Sequence, residues 1–265
     1  MIHIIEANLV PVGPDDLELL AFGNYGHYTS MQVRDGEVRG LDLHLERLDV
    51  NARELFGCPA GAGRLLEALR HVVPTSGACS VRVTLFSREL RRVVAGEPVE
   101  PDIMVSVTAA AASEARAMRV LPVRYEREMP QVKHLATYGL LRQMRAARTA
   151  GYDDALFVNA SGNVSEGCTW NICFTDGSHW RWPDAPALEG VTMQLLRTAM
   201  SDAGWPVSTS PISASELTQF TGAFATNSVS AARPISAVGD HSLPSSVADR
   251  SLLSDLFDEV PWSSL

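Results

Sequence analysis

Apolar and polar residues alternate or recur in ways that predict most of the elements. Residues 1–12 read as a first strand, with Ile2, Ile4 and Ile5 apolar. Ala21 to Gly26 reads as a glycine-containing loop. Tyr28 to Val33 is a strand, closed by Arg34-Asp35-Gly36-Glu37, and Asp-Gly between two apolar runs is a strong hairpin signal. Leu41, Leu45, Leu48, Ala52 and Leu55 recur at spacings of three and four, which predicts an amphipathic helix over 41–56, stopped by Gly57. A second helix is expected over 64–73. Val81, Val83 and Leu85 alternate with Arg82, Thr84 and Phe86 as a strand, and residues 103–107 form another. The small residues Thr108 to Ala112 are the best candidate for an interdomain linker.

The second half opens with a strand at 119–125. A helix over 138–150 follows, with Leu140, Leu141, Met144 and Ala147 on one side. Ala155–Val158, the turn 159–163 and Val164–Phe174 predict a hairpin. Helices at 190–203 and 251–257 and strands near 223–226 and 234–238 complete the pattern. Strands and helices mix without a regular βαβ alternation, so the expected class is α+β, in two domains, 1–110 and 111–265.

Composition excludes several function classes. The chain has 265 residues, 46% of them hydrophobic and 20% charged, which suits a packed globular protein. A formal net charge of −9 argues against nucleic-acid or membrane-surface binding, because both need a basic footprint. No apolar run approaches the ~20 residues that cross a bilayer, and no signal peptide is apparent. The cysteines, Cys58, Cys79, Cys168 and Cys173, lack zinc spacing and read as reduced thiols in a cytoplasm. The histidines and carboxylates form no metal-binding pattern, and Walker, Rossmann and nucleophile-elbow motifs are absent.

One count is more pointed. Of 22 basic residues, 21 are arginine, and Lys133 is the single lysine. Only lysine can lose its proton near neutral pH and act as an amine nucleophile. Lys133 is thus a candidate for amine chemistry, against the plain alternative of a composition bias with one leftover. Glu166 lies 33 residues on, in Val164-Ser165-Glu166-Gly167-Cys168-Thr169-Trp170. Strand alternation would set it on one face with Val164, Cys168 and Trp170. A carboxylate in that apolar row must be protonated or paired with a cation: an arginine, or a protonated heterocycle.

Several runs together resemble the class IV (fold type IV) pyridoxal-phosphate enzymes. These are Lys133-His-Leu-Ala-Thr-Tyr138, then Ala155-Leu-Phe-Val-Asn-Ala-Ser-Gly-Asn-Val-Ser-Glu166, then Asn171-Ile172. His44-Leu45-Glu46-Arg47-Leu48, Gly190-Val191-Thr192 and Ala225-Thr226-Asn227-Ser228 extend the likeness over roughly residues 22–240. The family holds branched-chain and D-amino-acid aminotransferases, amine transaminases and aminodeoxychorismate lyases. The resemblance implies a D-amino-acid aminotransferase-like fold, with pyridoxal 5′-phosphate in the cleft between the two domains. It implies a homodimer as well. Lys133 would bond the cofactor's aldehyde and shuttle protons. Glu166 would pair with the ring nitrogen, and Tyr138 would meet the 3-oxygen. Arg47, the helix start at Val191 and Thr192, and Thr226 and Asn227 would take the phosphate.

The chain also departs from the family pattern. Thr29 stands where a carboxylate is common, in Tyr25-Gly26-His27-Tyr28-Thr29-Ser30, and Thr137 stands where an Asn is common. Tyr28 and Thr29 fall on the substrate side, and Arg88 is the expected partner of a substrate carboxylate, with Arg91 and Arg92 as alternatives. The expected activity is amino transfer between an amino acid or amine and a 2-oxo acid. Two alternatives stay open: a lyase giving 4-aminobenzoate and pyruvate, and a cofactor-free binding protein that kept the fold.

Overall fold

The computed structural model describes residues 4–114 and 116–265. The opening of the expected first strand, Met1 to His3, lies outside the described residues. The chain forms two compact units. One takes in the chain up to Ala112, together with Val132–Ala136 and Pro261–Leu265; the other takes in Ser113–Gln131 and Thr137–Val260. A single cut between residues 110 and 111 differs from this division in two short returns, and one of them carries Lys133.

The first unit is an antiparallel seven-stranded sheet. Its order is Trp262–Ser264, Glu37–Arg39, His27–Arg34, Ala78–Phe86, Asp102–Ala109, Ile4–Ala7, Val10–Pro11. The hairpin at Asp35-Gly36 forms because both residues take positive φ, 52° and 75°, the requirement of a two-residue turn that follows the strand twist. The helix Leu41–Phe56 spans the expected residues. Its buried row is Leu41, Leu48, Ala52 and Phe56, with Leu45 and Leu55 partly buried. With the helix Ala62–Val72 it covers one face of the sheet, against Met31, Val33, Val81, Val83, Leu85 and Val105.

Two expectations need correction here. Thr108 and Ala109 belong to the strand Asp102–Ala109, since they pair with Ser80 and Cys79; they are not linker. Ala21 to Gly23 end a helix, Pro14–Gly23, which pattern alone did not predict. Proline at its start and Asp15 and Asp16 in its first turn favour that helix, because neither the missing N–H nor the negative charge costs anything there.

The second unit holds a nine-stranded mixed sheet. Its main order is Val207–Ser210, Trp180–Pro183, Asn171–Thr175, Gly222–Thr226, Arg233–Val238, Met118–Arg124, Asp154–Val158, Val164–Gly167. His241–Ser242 pairs beside Arg233–Val238. The parallel pair Met118–Arg124 and Asp154–Val158 is joined through the helix Tyr138–Thr149, of which Leu140 and Ala147 are buried while Leu141 is exposed. The helices Val191–Asp202 and Val247–Glu259 pack together over Trp180, Trp182 and Phe224.

The expected strand Val164–Phe174 is broken at Cys168–Trp170. Gly167 N–H donates to the Trp170 carbonyl at 2.8 Å, and the Trp170 indole N–H donates to Asp154 Oδ2 at 2.9 Å. The indole folds over Gly167, where any Cβ would overlap it. Alternation therefore ends at Gly167, and the expectation that Cys168 and Trp170 share a strand face with Glu166 fails. Among the described residues no helix is long and apolar enough to cross a membrane.

Candidate active site

Lys133 is positioned by backbone pairing. Within the strand His27–Arg34, Glu37–Arg39 reaches only Val33 and Arg34, which leaves the His27 end of that strand open on that side. The return Val132–Ala136 fills it. Tyr28 N–H donates to the Lys133 carbonyl at 2.9 Å, Leu135 N–H donates to the Gly26 carbonyl at 2.9 Å, and His27 and His134 form an antiparallel bridge. Lys133 is thus held through its own carbonyl and through the two residues that follow it, on the edge of the first unit's sheet.

The side chain follows from that register. Lys133 Nζ lies 5.0 Å from the centre of the Tyr28 ring. Arg82 lies over the same ring, its Cζ 3.6 Å from the centre. Arg82 is opposite Ser30 across the strand pair, so it shares a sheet face with Ser30 and Tyr28. Among the described residues no carboxylate pairs with Arg82. Pattern reading missed it, because the sequence shows a polar position on a strand but not what lies across from it.

Thr29 points the other way, into the helix layer. It is fully buried, and its Oγ1 is 2.7 Å from His44 Nδ1. Burial drives His44 down to about 3, and the charges of Arg47 and Lys133 push in the same direction. Arg47, one turn further along the helix, and Lys133 therefore act on one neutral imidazole, which groups them. His27 is also driven to about 3 by burial. Arg88 is committed elsewhere: it bridges Asp16 and Asp102, each at 2.7 Å, and ties the helix Pro14–Gly23 to the strand Asp102–Ala109. Arg92 is paired with Glu89 and Glu97.

The second unit gathers a different set. Glu166, on the strand Val164–Gly167, is buried. Its Oε1 is 3.4 Å from Arg127 Nη1, and its Oε2 accepts the Leu188 N–H at 3.3 Å. Asn171 Nδ2 donates to the Leu188 carbonyl at 2.7 Å, and Asn171 Oδ1 packs so closely on Gly190 that any Cβ there would overlap it. This contact fixes the approach to the helix Val191–Asp202, whose cap residue Gly190 has no side chain to satisfy the first amides. Thr192 Oγ1 donates to the Asn227 carbonyl at 2.9 Å. The Asn227 side-chain oxygen is used within its own turn, accepting from Val229 and Ser230 at 2.9 and 3.0 Å. Thr226, opposite Asn171 in the sheet, is fully buried, and its hydroxyl has no hydrogen-bond partner among the described residues. Tyr138 stands apart from this set, at the start of its helix and 76% exposed.

An orphaned buried hydroxyl beside a helix start with unsatisfied amides suits an anionic oxygen, and the dipole of the helix adds to that preference. A buried carboxylate suits a cation, and a lysine amine suits a carbonyl.

Known proteins share this architecture. A fold IV-transaminase from Curtobacterium pusillum superposes with a TM-score of 0.76 at 26% identity, covering 91% of this chain and 88% of that one. A hypothetical aminotransferase from Mycobacterium tuberculosis, in a PLP-bound form, gives 0.80 at 20% identity, covering 98% of both chains. The fold is therefore that of the fold type IV transaminases, and the α+β expectation is borne out. A probable branched-chain-amino-acid aminotransferase of Rickettsia felis is 23% identical over 203 residues, 72% of this chain and 70% of that protein. The chain belongs to the amino-transferase class IV family, whose sequence model matches residues 26–238. The expectation of an aminotransferase enzyme is borne out with it.

Proposed function

We propose that the chain is a pyridoxal 5′-phosphate-dependent aminotransferase that uses Lys133 to move an amino group between an amino acid and a 2-oxo acid. When bound, the cofactor supplies an aldehyde that bonds an amine and a ring that draws electrons from the substrate's Cα. Lys133 Nζ would hold that aldehyde and would take the proton from the donor's Cα as general base. Glu166 holds the proton on the ring nitrogen. Arg47, the Thr226 hydroxyl and the amides of Val191 and Thr192 bind the phosphate, while Asn227 shapes the loop beside them. Tyr138 offers its exposed hydroxyl to the 3-oxygen, as the resemblance implies. Arg82, rather than Arg88, takes the substrate's carboxylate, since no carboxylate among the described residues pairs with it and it shares the Tyr28 ring with Lys133. We read the enzyme as a cytoplasmic homodimer; the dimer comes from the family resemblance, and free thiols at all four cysteines suit that compartment.

The observation that carries this function is Lys133: the chain's one lysine, its carbonyl hydrogen-bonded to Tyr28, with its amine and Arg82 both against the Tyr28 ring. The deciding experiment titrates the cofactor-loaded protein with D- and L-amino acids, amines and aminodeoxychorismate. A transaminase accumulates the pyridoxamine form with its donor and returns with a 2-oxo acid. Pyruvate released from aminodeoxychorismate without an acceptor means a lyase instead. Borohydride treatment of the loaded protein must mark Lys133; an unmarked Lys133 overturns the assignment.

A further inference from the structure

The charges on the Glu166 side contain one member that the proposed chemistry does not use. Arg127 and Glu166 are both buried, each side chain 6% exposed. Arg127 Nη1 reaches Oε1 at 3.4 Å, and the Leu188 amide reaches Oε2 at 3.3 Å. Both contacts are long beside the ~2.7–2.9 Å of a well-made charge-assisted bond. A carboxylate this deep stays ionised only near a cation, and otherwise takes up a proton. Arg127 cannot give up its own proton, so it is a permanent cation at that place.

Resting on the role given to Glu166 above, we infer that Arg127 is a positioning residue: it keeps Glu166 ionised before the cofactor arrives and, by sharing that carboxylate, limits how firmly the ring nitrogen holds its proton. The two consequences have opposite signs. Without Arg127 the protein alone has a buried carboxylate that lacks this cation. With the cofactor bound, the ring nitrogen must supply more of the compensating charge. The ring nitrogen therefore matters more, not less, once Arg127 is gone. A residue that only filled space would weaken binding of any similar ring equally.

The test compares equilibrium binding of pyridoxal phosphate with that of 1-deazapyridoxal phosphate, which keeps the aldehyde and phosphate but has carbon in place of the ring nitrogen. Dissociation constants are measured by fluorescence for the full chain, Arg127→Gln, Arg127→Lys, Glu166→Gln and the Arg127→Gln/Glu166→Gln double variant. The native chain prefers the nitrogen ring. Arg127→Gln enlarges that preference about tenfold, the equivalent of one pKa unit at the ring. Arg127→Lys falls between the two, and in the Glu166→Gln background the Arg127 change leaves the ratio alone. Equal weakening of both ligands, or a shift that persists without the Glu166 carboxylate, overturns the inference. Should Arg127→Gln fail to fold, the lysine variant decides: a raised preference supports it, and the native ratio overturns it. A native chain that binds neither ligand, or whose preference does not depend on Glu166, overturns the proposed function itself. A Glu166-dependent preference that no Arg127 variant alters overturns only the role of Arg127.

Discussion

The surroundings of Lys133 and those of Thr226 are built in contrasting ways. Around Lys133 the protein satisfies its own backbone: the return Val132–Ala136 is hydrogen-bonded to the Gly26–Tyr28 edge before any ligand arrives. Around Thr226 it does not, for among the described residues a buried hydroxyl has no hydrogen-bond partner and no side chain caps the first amides of the helix Val191–Asp202. One side is finished by folding; under the proposed function the other is finished by a bound phosphate. A buried unsatisfied donor costs ~1–3 kcal/mol, so the second side stores a cost that an anion relieves.

The sharpest way to break this contrast is Lys133→Ala. It should keep the fold and phosphate-dependent cofactor binding while turnover falls by at least ~10²–10⁴-fold, as steady-state kinetics would show. Arg82→Gln should raise KM for an amino-acid donor roughly 10- to 100-fold, the worth of a charge-assisted bond, while Arg88→Gln leaves KM unaltered. Equal KM effects from both arginines would remove Arg82 from the substrate's path. Gly190→Ala forces a methyl into Asn171, and about 1–3 kcal/mol of overpacking should appear in denaturant melts together with weaker cofactor binding.

Thr226→Val tests the stored cost directly. The cofactor-free protein should be as stable as the native one or more so, while cofactor affinity drops about tenfold. Loss of stability without loss of affinity would make Thr226 an ordinary core residue. A pH effect is expected on the lysine side. His27 and His44 are held near 3 in the folded chain against 6.5 unfolded, so below 6.5 the unfolded chain binds protons that the folded one refuses. Stability should therefore be full above pH 6.5 and fall as pH drops towards 3, by up to ~1.4 kcal/mol per pH unit for each histidine. His44→Gln should flatten that slope in urea melts run between pH 7 and 5.

How much of this was legible in the sequence depends on how local the cause is. The helix Leu41–Phe56 could be read because its apolar rhythm and Gly57 lie within it. The strand through Glu166 was misread beyond Gly167 because its interruption comes from Trp170 reaching Asp154, a partner 16 residues back that no alternation rule sees. The helix Pro14–Gly23 escaped notice because its leucines show no single apolar face; Leu17 and Phe22 are exposed. Lys133 and Glu166 stood out by rarity and by burial chemistry. Arg82 did not, because its importance is a matter of cross-strand register with Tyr28 and Ser30. Arg127 gave no signal at all among 21 arginines.

The strand Trp262–Ser264 closes one edge of the first unit's sheet, with Arg39 stacked 4.5 Å over Trp262. That sheet is therefore woven from the beginning, the middle and the tail of the polypeptide. A protease that nicks once between 113 and 131 cannot release it as a free fragment, since its edge strand and its lysine travel on the other piece. The halves should co-elute until denatured, and any attempt to trade modules among relatives would have to carry both distant threads along.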